Sequence, residues 1–188
     1  MIRTRQELID ARKKYAAVLD AEKKKILVCA GTGCVSSGSL EIIDKLKSLL
    51  EERGVECSVE LKEEPHGDVV GKKKSGCHGF CEMGPLVRIE PQGWLYMKVK
   101  LDDCEEIVEK TIINGEHIER LAYQKGGEVC KKQDDIPFYK KQKRVVLETS
   151  GNTDAEDLDE YLAHDGYAAL EKALFDMTPA EICAEGVD

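Results

Sequence analysis

Aromatic residues, basic charge and long apolar runs are all scarce in this sequence, and the last two scarcities each exclude a class of protein. Only 5% of the residues are aromatic, and 28 Lys and Arg face 37 Asp and Glu, for a net charge of −9. Nucleic acid is therefore not an expected partner, because its phosphates bind basic surfaces. No apolar run approaches the roughly 20 residues that cross a bilayer, so direct membrane insertion is not expected. The charged stretch 1–25 has no apolar signal segment, which predicts a cytoplasmic protein with reduced thiols.

Cysteine, in contrast, is plentiful, and four of the eight cysteines form two close pairs. Cys29 and Cys34 follow the apolar run 26–28, and Cys77 and Cys81 lie in a second glycine-rich stretch. Neither pair has the Cys-x-x-Cys spacing of a dithiol oxidoreductase. Four thiolates in glycine-rich loops favour a [2Fe-2S] cluster, because glycine lets backbone N–H groups approach the cluster sulfurs. Structural zinc is the open alternative, since these spacings also occur in four-cysteine zinc sites.

The two pairs, followed by Gly84-Pro85, resemble the signature of the thioredoxin-like [2Fe-2S] ferredoxins. Such domains also occur as a subunit of respiratory complex I and as a domain of NADH-linked hydrogenase subunits. The resemblance covers residues 24–113 and implies that the four paired cysteines are the iron ligands. It implies one-electron transfer, in which no catalytic side chain is needed.

The pattern of apolar residues predicts an α/β fold in agreement with that resemblance. Predicted elements are a helix over 5–19, a strand over 25–29, a helix over 39–53, a strand over 55–61, a hairpin of 86–90 and 94–99, and a helix over 102–113. A loop over 31–38 and a polar, Lys-rich connection before Cys77 join them. This order is that of a thioredoxin-like sandwich, and it places both cysteine loops at one end of the sheet.

The sequence changes character after Gly115. Residues 116–135 are predicted as a polar linker, followed by a short strand over 144–147 and two short helices over 154–163 and 166–175. Gly166-Tyr167-x-Ala169-Leu170 and Met177-Thr178-Pro179 resemble the start of the FMN- and NADH-binding subunit of complex I and its hydrogenase relatives. The predicted domains are an N-terminal helix (1–24), the ferredoxin domain (25–115), the linker (116–135) and an incomplete, mostly helical start of a flavin subunit (136–188).

A helix start signal lies close to the end of the chain. Thr178, Pro179 and Glu181 form a capping-box pattern, and seven residues follow it. We expect a start signal without a helix body and therefore a chain that stops before the flavin-binding region. FMN and NAD(H) are expected only in a partner or in the missing continuation.

Several other residues have less specific interpretations. The cysteines outside the pairs are Cys57, Cys104, Cys130 and Cys183. The first two are expected to be small buried hydrophobes. Cys130 is expected to be an incidental thiol rather than a redox switch, and Cys183 has no partner at a ligand spacing. His78 is expected to be a loop residue, because four cysteines already complete a ligand set. The lysine run 72–74 is expected to be a solvated face, with neutralisation of cluster charge or partner docking as the alternative.

The sequence therefore predicts an electron-transfer subunit that is not catalytic alone. It would carry one [2Fe-2S] cluster in an NAD(P)H-linked oxidoreductase such as a bifurcating hydrogenase, a formate dehydrogenase or a complex I-like assembly. The expected partners are other iron-sulfur, flavin, hydrogenase or dehydrogenase subunits. The alternative is a non-redox docking module whose cysteine site holds zinc or stays empty.

Overall fold

The computed structural model describes residues 2–21, 24–55, 57–58 and 70–186. The strands of these residues are β1 (Lys24–Cys29), β2 (Cys57–Ser58), β3 (Val70–Ser75), β4 (Val87–Glu90), β5 (Trp94–Tyr96), β6 (Tyr123–Lys125) and β7 (Glu128–Cys130). The α-helices are α1 (Arg5–Ala21), α2 (Thr32–Val35), α3 (Ser39–Glu52), α4 (Asp103–Glu106), α5 (Pro137–Lys140), α6 (Leu158–Ala163), α7 (Ala168–Asp176) and α8 (Pro179–Glu185). A π-helix, Ile107–Ile113, continues α4.

Five of these strands form one mixed sheet in the order β2-β3-β1-β4-β5. Strand β1 is central, running parallel to β3 and antiparallel to β4. A parallel β-α-β unit followed by an antiparallel hairpin and a helix is the arrangement predicted for a thioredoxin-like α/β sandwich. The predicted fold class, including the N-terminal helix and the helical C-terminal region, is confirmed.

The main core lies between the sheet and the helices that cover it. Helix α3 carries apolar residues at a spacing of three or four, which places Ile42, Leu46 and Leu50 on one buried face. They pack with Ile26 and Val28 of β1 in a single cluster of buried residues. Each such side chain contributes about 1.5–3 kcal/mol when fully buried. This packing fixes the position of β1, whose last residue is Cys29.

Most predicted elements are present, with shifted bounds. The helix predicted over 102–113 is α4 continued by the π-helix, and the loop predicted over 31–38 contains the short helix α2. Of the strand predicted over 55–61, Cys57–Ser58 is a strand, while residues 56 and 59–61 lie outside the described residues. The helices predicted to begin at 154 and 166 begin at Leu158 and Ala168.

The polar connection predicted before the second cysteine pair is wrong, because strand β3 lies there. Charged residues break the apolar alternation that marks a strand, yet β3 pairs in parallel with β1, with Ser75 opposite Cys29. The solvated-face interpretation is also wrong for Lys73, which is 4% exposed and pairs with the Glu160 carboxylate at 3.5 Å. Lys74 is partly exposed, and the side chain of Lys72 lies outside the described side chains.

Residues 116–135, predicted as a linker, contain the hairpin of β6 and β7 and pack against β5. The Leu95 N–H donates to the Lys131 carbonyl at 3.0 Å, and the Met97 N–H donates to the Leu121 carbonyl at 2.8 Å. The strand predicted over 144–147 is wrong. Residues 145–147 form a bend and a turn instead, and Arg144 hydrogen-bonds to the loop after β3.

The C-terminal helices pack against the N-terminal helix. Helix α1 lies along α6, and Arg5 and Arg12 both form ion pairs with Glu171 of α7. The capping box at Thr178 and Glu181 is complete, and it begins helix α8. The expectation of a start signal without a helix body is therefore wrong. Within the described ranges, no helix has the length and apolar character to cross a membrane.

Candidate metal centre

Both cysteine pairs lie at the same end of the sheet, as predicted, because β1 and β3 are parallel neighbours. Cys29 is the last residue of β1, and Cys77 follows the end of β3 by two residues. The Cys29 N–H donates to the Leu86 carbonyl at 3.0 Å, and the Ala30 N–H donates to the Ser75 carbonyl at 2.9 Å. The start of the first loop is thereby hydrogen-bonded to the end of β3 on one side and to the residue before β4 on the other.

The four paired thiols interact with one another across the two loops. The pKa of Cys29 depends on Cys34 and Cys77, and the pKa of Cys77 depends on Cys29 and Cys81. The hydrogen bond from Cys34 is the main reason that the pKa of Cys29 is lowered to about 6. The pKa of Cys34 is raised in return, mainly by Cys29, and burial raises the pKa of Cys77. One thiolate is thus already favoured, and the thiolate is the form that binds metals.

Three glycines bring the loops into contact. A Cβ atom on Gly31 would lie 3.0 Å from Sγ of Cys77, and one on Gly84 would lie 2.7 Å from Sγ of Cys34. A Cβ atom on Gly33 would lie 3.3 Å from Cβ of Cys81. Any side chain at Gly84 would displace the thiol, since real Cβ atoms do not approach sulfur so closely. The glycine requirement inferred from the sequence therefore has a steric cause here.

The surroundings also suit a metal or cluster held by sulfur. The Gly79 N–H donates to Sγ of Cys77 at 3.3 Å, the kind of bond that tunes sulfur ligands. The thiols of Cys29 and Cys34 are buried among apolar side chains, while Cys77 and Cys81 are exposed. Thiolate sets of this kind hold iron-sulfur clusters or zinc. In the described part of the chain, no three Cys, His, Asp or Glu side chains form a preformed metal site, so the ligand assignment stays a prediction.

His78 lies between the second pair of cysteines and is a structural residue of the loop. Its Nε2 is 2.8 Å from the Ser75 hydroxyl, and its Nδ1 is 3.1 Å from Oε1 of Gln133. Burial lowers the pKa of His78 to about 4. With both ring nitrogens engaged and the ring neutral, His78 supports the loop rather than a metal, in line with its expected role.

The remaining cysteines lie apart from this centre. Cys104 is fully buried, and burial raises its pKa to about 11, which confirms its role as a small hydrophobe. Cys130 lies in β7 and packs partly buried against the apolar residues near Cys29, whereas Cys183 is exposed. The side chain of Cys57 lies outside the described side chains. No disulfide joins the cysteines of the described residues.

Sequence reasoning missed the residues that hold the second cysteine loop from outside. The Tyr139 hydroxyl donates to the His78 carbonyl at 3.1 Å, and Arg144 donates to the same carbonyl. The Ser150 hydroxyl donates to the Cys77 carbonyl at 3.1 Å. These partners come from more than 60 residues further along the chain, and no local pattern marks them.

Comparison with known proteins places this α/β protein with its four-thiol site among the ferredoxins. A [2Fe-2S] ferredoxin of Clostridium pasteurianum is 36% identical over 88 residues, which span 47% of this chain and 76% of that ferredoxin. A [2Fe-2S] ferredoxin of Aquifex aeolicus is 48% identical over 52 residues, 28% of this chain and 47% of that ferredoxin. The crystal structure of the wild-type thioredoxin-like [2Fe-2S] ferredoxin from Aquifex aeolicus shares 29% identity at a TM-score of 0.44, covering 56% of this chain and 100% of that chain. No model of a protein family matches this chain.

The chain belongs to the [2Fe-2S] ferredoxin family, because the Clostridium relative is matched over most of its own length. This membership confirms the predicted ferredoxin resemblance, the [2Fe-2S] cofactor and the coarse prediction of an electron carrier. The match spans about half of this chain, so the resemblance to a flavin subunit stays a prediction.

Proposed function

We propose that this chain is an electron carrier that binds one [2Fe-2S] cluster through Cys29, Cys34, Cys77 and Cys81 and serves an NAD(P)H-linked multisubunit oxidoreductase. Family membership supports the carrier function and the cluster. The contact between the two cysteine loops, which glycine alone permits, carries the ligand assignment. This is the one place in the described residues where four cysteine side chains interact.

The cluster, when bound, supplies one-electron chemistry, and the chain's own residues set the conditions for it. The end of β1 and the loop after β3 orient the thiols. Leu86, Leu95 and Ile136, all fully buried, form an apolar wall beside Cys29 and exclude water on that side. The Gly79 N–H hydrogen-bonds to a ligand sulfur and stabilises its negative charge. No proton transfer is required of any side chain.

The C-terminal region supports the assignment to an NAD(P)H-linked complex. Residues 166–179 resemble the start of a flavin subunit, and they form helix α7 and the beginning of α8. In that assignment FMN and NAD(H) bind to a partner or to a continuation of the chain, and the partners are iron-sulfur, flavin or hydrogenase and dehydrogenase subunits. A cytoplasmic location is part of the same proposal.

The direct test is anaerobic purification followed by analysis of iron, acid-labile sulfide and zinc. We expect about two irons and two sulfides per chain, with an EPR signal after dithionite reduction. The Cys34→Ser variant should lose or destabilise the cluster, whereas Cys183→Ser, which changes an exposed cysteine, should keep the wild-type spectrum. Zinc in place of iron, or no metal after reconstitution, would support the docking-module alternative instead.

The partner assignment needs a separate test. The chain is purified anaerobically with a tag from its native host, and co-purifying subunits are identified by mass spectrometry and flavin fluorescence. NADH or NADPH should bleach the cluster absorption of the complex but not that of the isolated chain. Bleaching of the isolated chain, or a complex that contains no flavin, would contradict the assignment.

A further inference from the structure

A segment of the C-terminal half crosses over the second cysteine loop and binds its backbone. We call residues 144–153 the strap. The Gly76 N–H donates to the Thr153 carbonyl at 2.9 Å, and the Ser150 hydroxyl donates to the Cys77 carbonyl at 3.1 Å. The strap thus holds the loop at two points, one before the first cysteine of the pair and one at that cysteine itself.

Arg144 is the charged residue by which the strap holds the loop. Its guanidinium donates to the Cys77 carbonyl at 3.4 Å, to the His78 carbonyl, and within the strap to the Ser150 carbonyl at 2.7 Å. A planar guanidinium with several fixed N–H donors is suited to bind adjacent carbonyls in this way. A Cβ atom on Gly79 would lie 2.9 Å from the guanidinium, so the absence of a side chain there admits Arg144.

The strap is itself fixed to the sheet. The Arg88 guanidinium of β4 donates to Oδ1 of Asn152 at 2.8 Å. Just beyond the strap, the buried ion pair of Lys73 with Glu160 joins β3 to α6. The position of Arg144 is therefore determined by contacts with the sheet as well as with the loop.

We propose that Arg144 is a positioning residue for Cys77 and that its charge makes the bound cluster easier to reduce. The proposal rests on the proposed function, since it concerns the same cluster. Reduction adds one negative charge to the cluster, and a fixed cation nearby stabilises that charge. Arg144 is partly buried, so water and salt screen it less than they screen the exposed neighbour Lys143.

Redox titration of the wild type and three variants tests the electrostatic part. Arg144→Gln removes the positive charge that is fixed beside the second cysteine loop. Lys143→Gln removes an equal charge from the exposed side chain next to it. We expect the midpoint potential of Arg144→Gln to be more negative than that of the wild type and that of Lys143→Gln to stay at the wild-type value. Arg144→Lys, which keeps the charge, should restore most of the potential. Equal potentials for Arg144→Gln and Lys143→Gln would overturn this part.

Hydrogen exchange of the apoprotein tests the positioning part without the cluster. Backbone amides of residues 76–80 should exchange faster in Arg144→Gln than in Lys143→Gln. Arg144→Lys should not restore protection, because a single ammonium lacks the planar set of N–H donors that binds adjacent carbonyls. If Arg144→Gln does not fold, Ser150→Ala removes one hydrogen bond to the same loop and should also speed exchange there. Unchanged exchange would overturn the positioning role. A wild-type protein that binds no cluster would instead refute the proposed function. The exchange experiment would still test the positioning role, because it uses the apoprotein.

Discussion

Removing the carboxylate of Glu160 is expected to destabilise the whole fold. The side chains of Lys73 and Glu160 are 3% and 1% exposed, and the ammonium and carboxylate are 3.5 Å apart. Glu160→Gln keeps the shape and retains an oxygen that can accept the Asp154 N–H, which donates to Glu160 at 2.9 Å. It removes the carboxylate from the buried ion pair with Lys73, and breaking a buried pair in this way costs about 3–5 kcal/mol. At about 2–4 °C per kcal/mol for a chain of this size, the thermal midpoint should fall by about 6–20 °C.

Urea unfolding at neutral pH, followed by circular dichroism, measures this loss. The midpoint should fall while the slope of free energy against urea stays constant, because the surface exposed on unfolding is unchanged. Lys73→Met combined with Glu160→Gln should recover much of the stability, since both members of the buried pair are then uncharged. Glu156→Gln is the matched control, because it breaks the exposed pair with Lys74 in the same strand and should leave stability close to the wild type. A Glu160→Gln protein as stable as this control would refute the reasoning.

Three further changes are expected to act through steric contact, proton linkage and buried hydrogen bonds. Gly84→Ala places a Cβ atom 2.7 Å from Sγ of Cys34 and should lower the iron content of purified protein, whereas Gly186→Ala, whose Cβ meets no atom closer than 3.6 Å, should leave it unchanged. Both ring nitrogens of His117 are buried without a hydrogen-bond partner among the described residues, and burial lowers its pKa below the ordinary 6.5. The unfolded chain therefore binds the proton more tightly, so the free energy of unfolding should fall as the pH drops below about 6.5, and His117→Phe should flatten that fall in urea titrations at several pH values. Tyr96→Phe removes a fully buried hydroxyl that makes two hydrogen bonds and should cost about 1–3 kcal/mol in the same assay.

The parts of the structure that the sequence predicts are those determined by neighbouring residues. The strand that ends at Cys29 and the helix Ser39–Glu52 follow from apolar spacing, and the hairpin of β4 and β5 follows from two strand-like runs around a turn that contains Gly93. The cysteine and glycine pattern also predicts the two loops that meet, because sequence spacing there reflects close backbone approach. These elements are determined mainly by local sequence and little by contacts with distant parts of the chain.

The parts that the sequence does not predict depend on distant partners. Strand β3 carries three lysines, and a local pattern cannot show that one of them is neutralised by Glu160, 87 residues further along the chain. The role of Arg144 is hidden for the same reason, because its acceptors are the carbonyls of Cys77 and His78. The apolar residues after Arg144 suggest a strand locally, but in the fold they form a bend and a turn with exposed side chains.

The apolar wall beside Cys29 has a consequence for where the chain can be shortened. Ile136 of this wall and Tyr139, which packs in the same cluster, both lie beyond the 25–115 range predicted for the ferredoxin domain. A protein cut at residue 115 would lose both side chains, and we expect Cys29 and Cys34, the two buried thiols of this site, to become more exposed to solvent. The packing around these two thiols therefore extends along the chain at least as far as Tyr139.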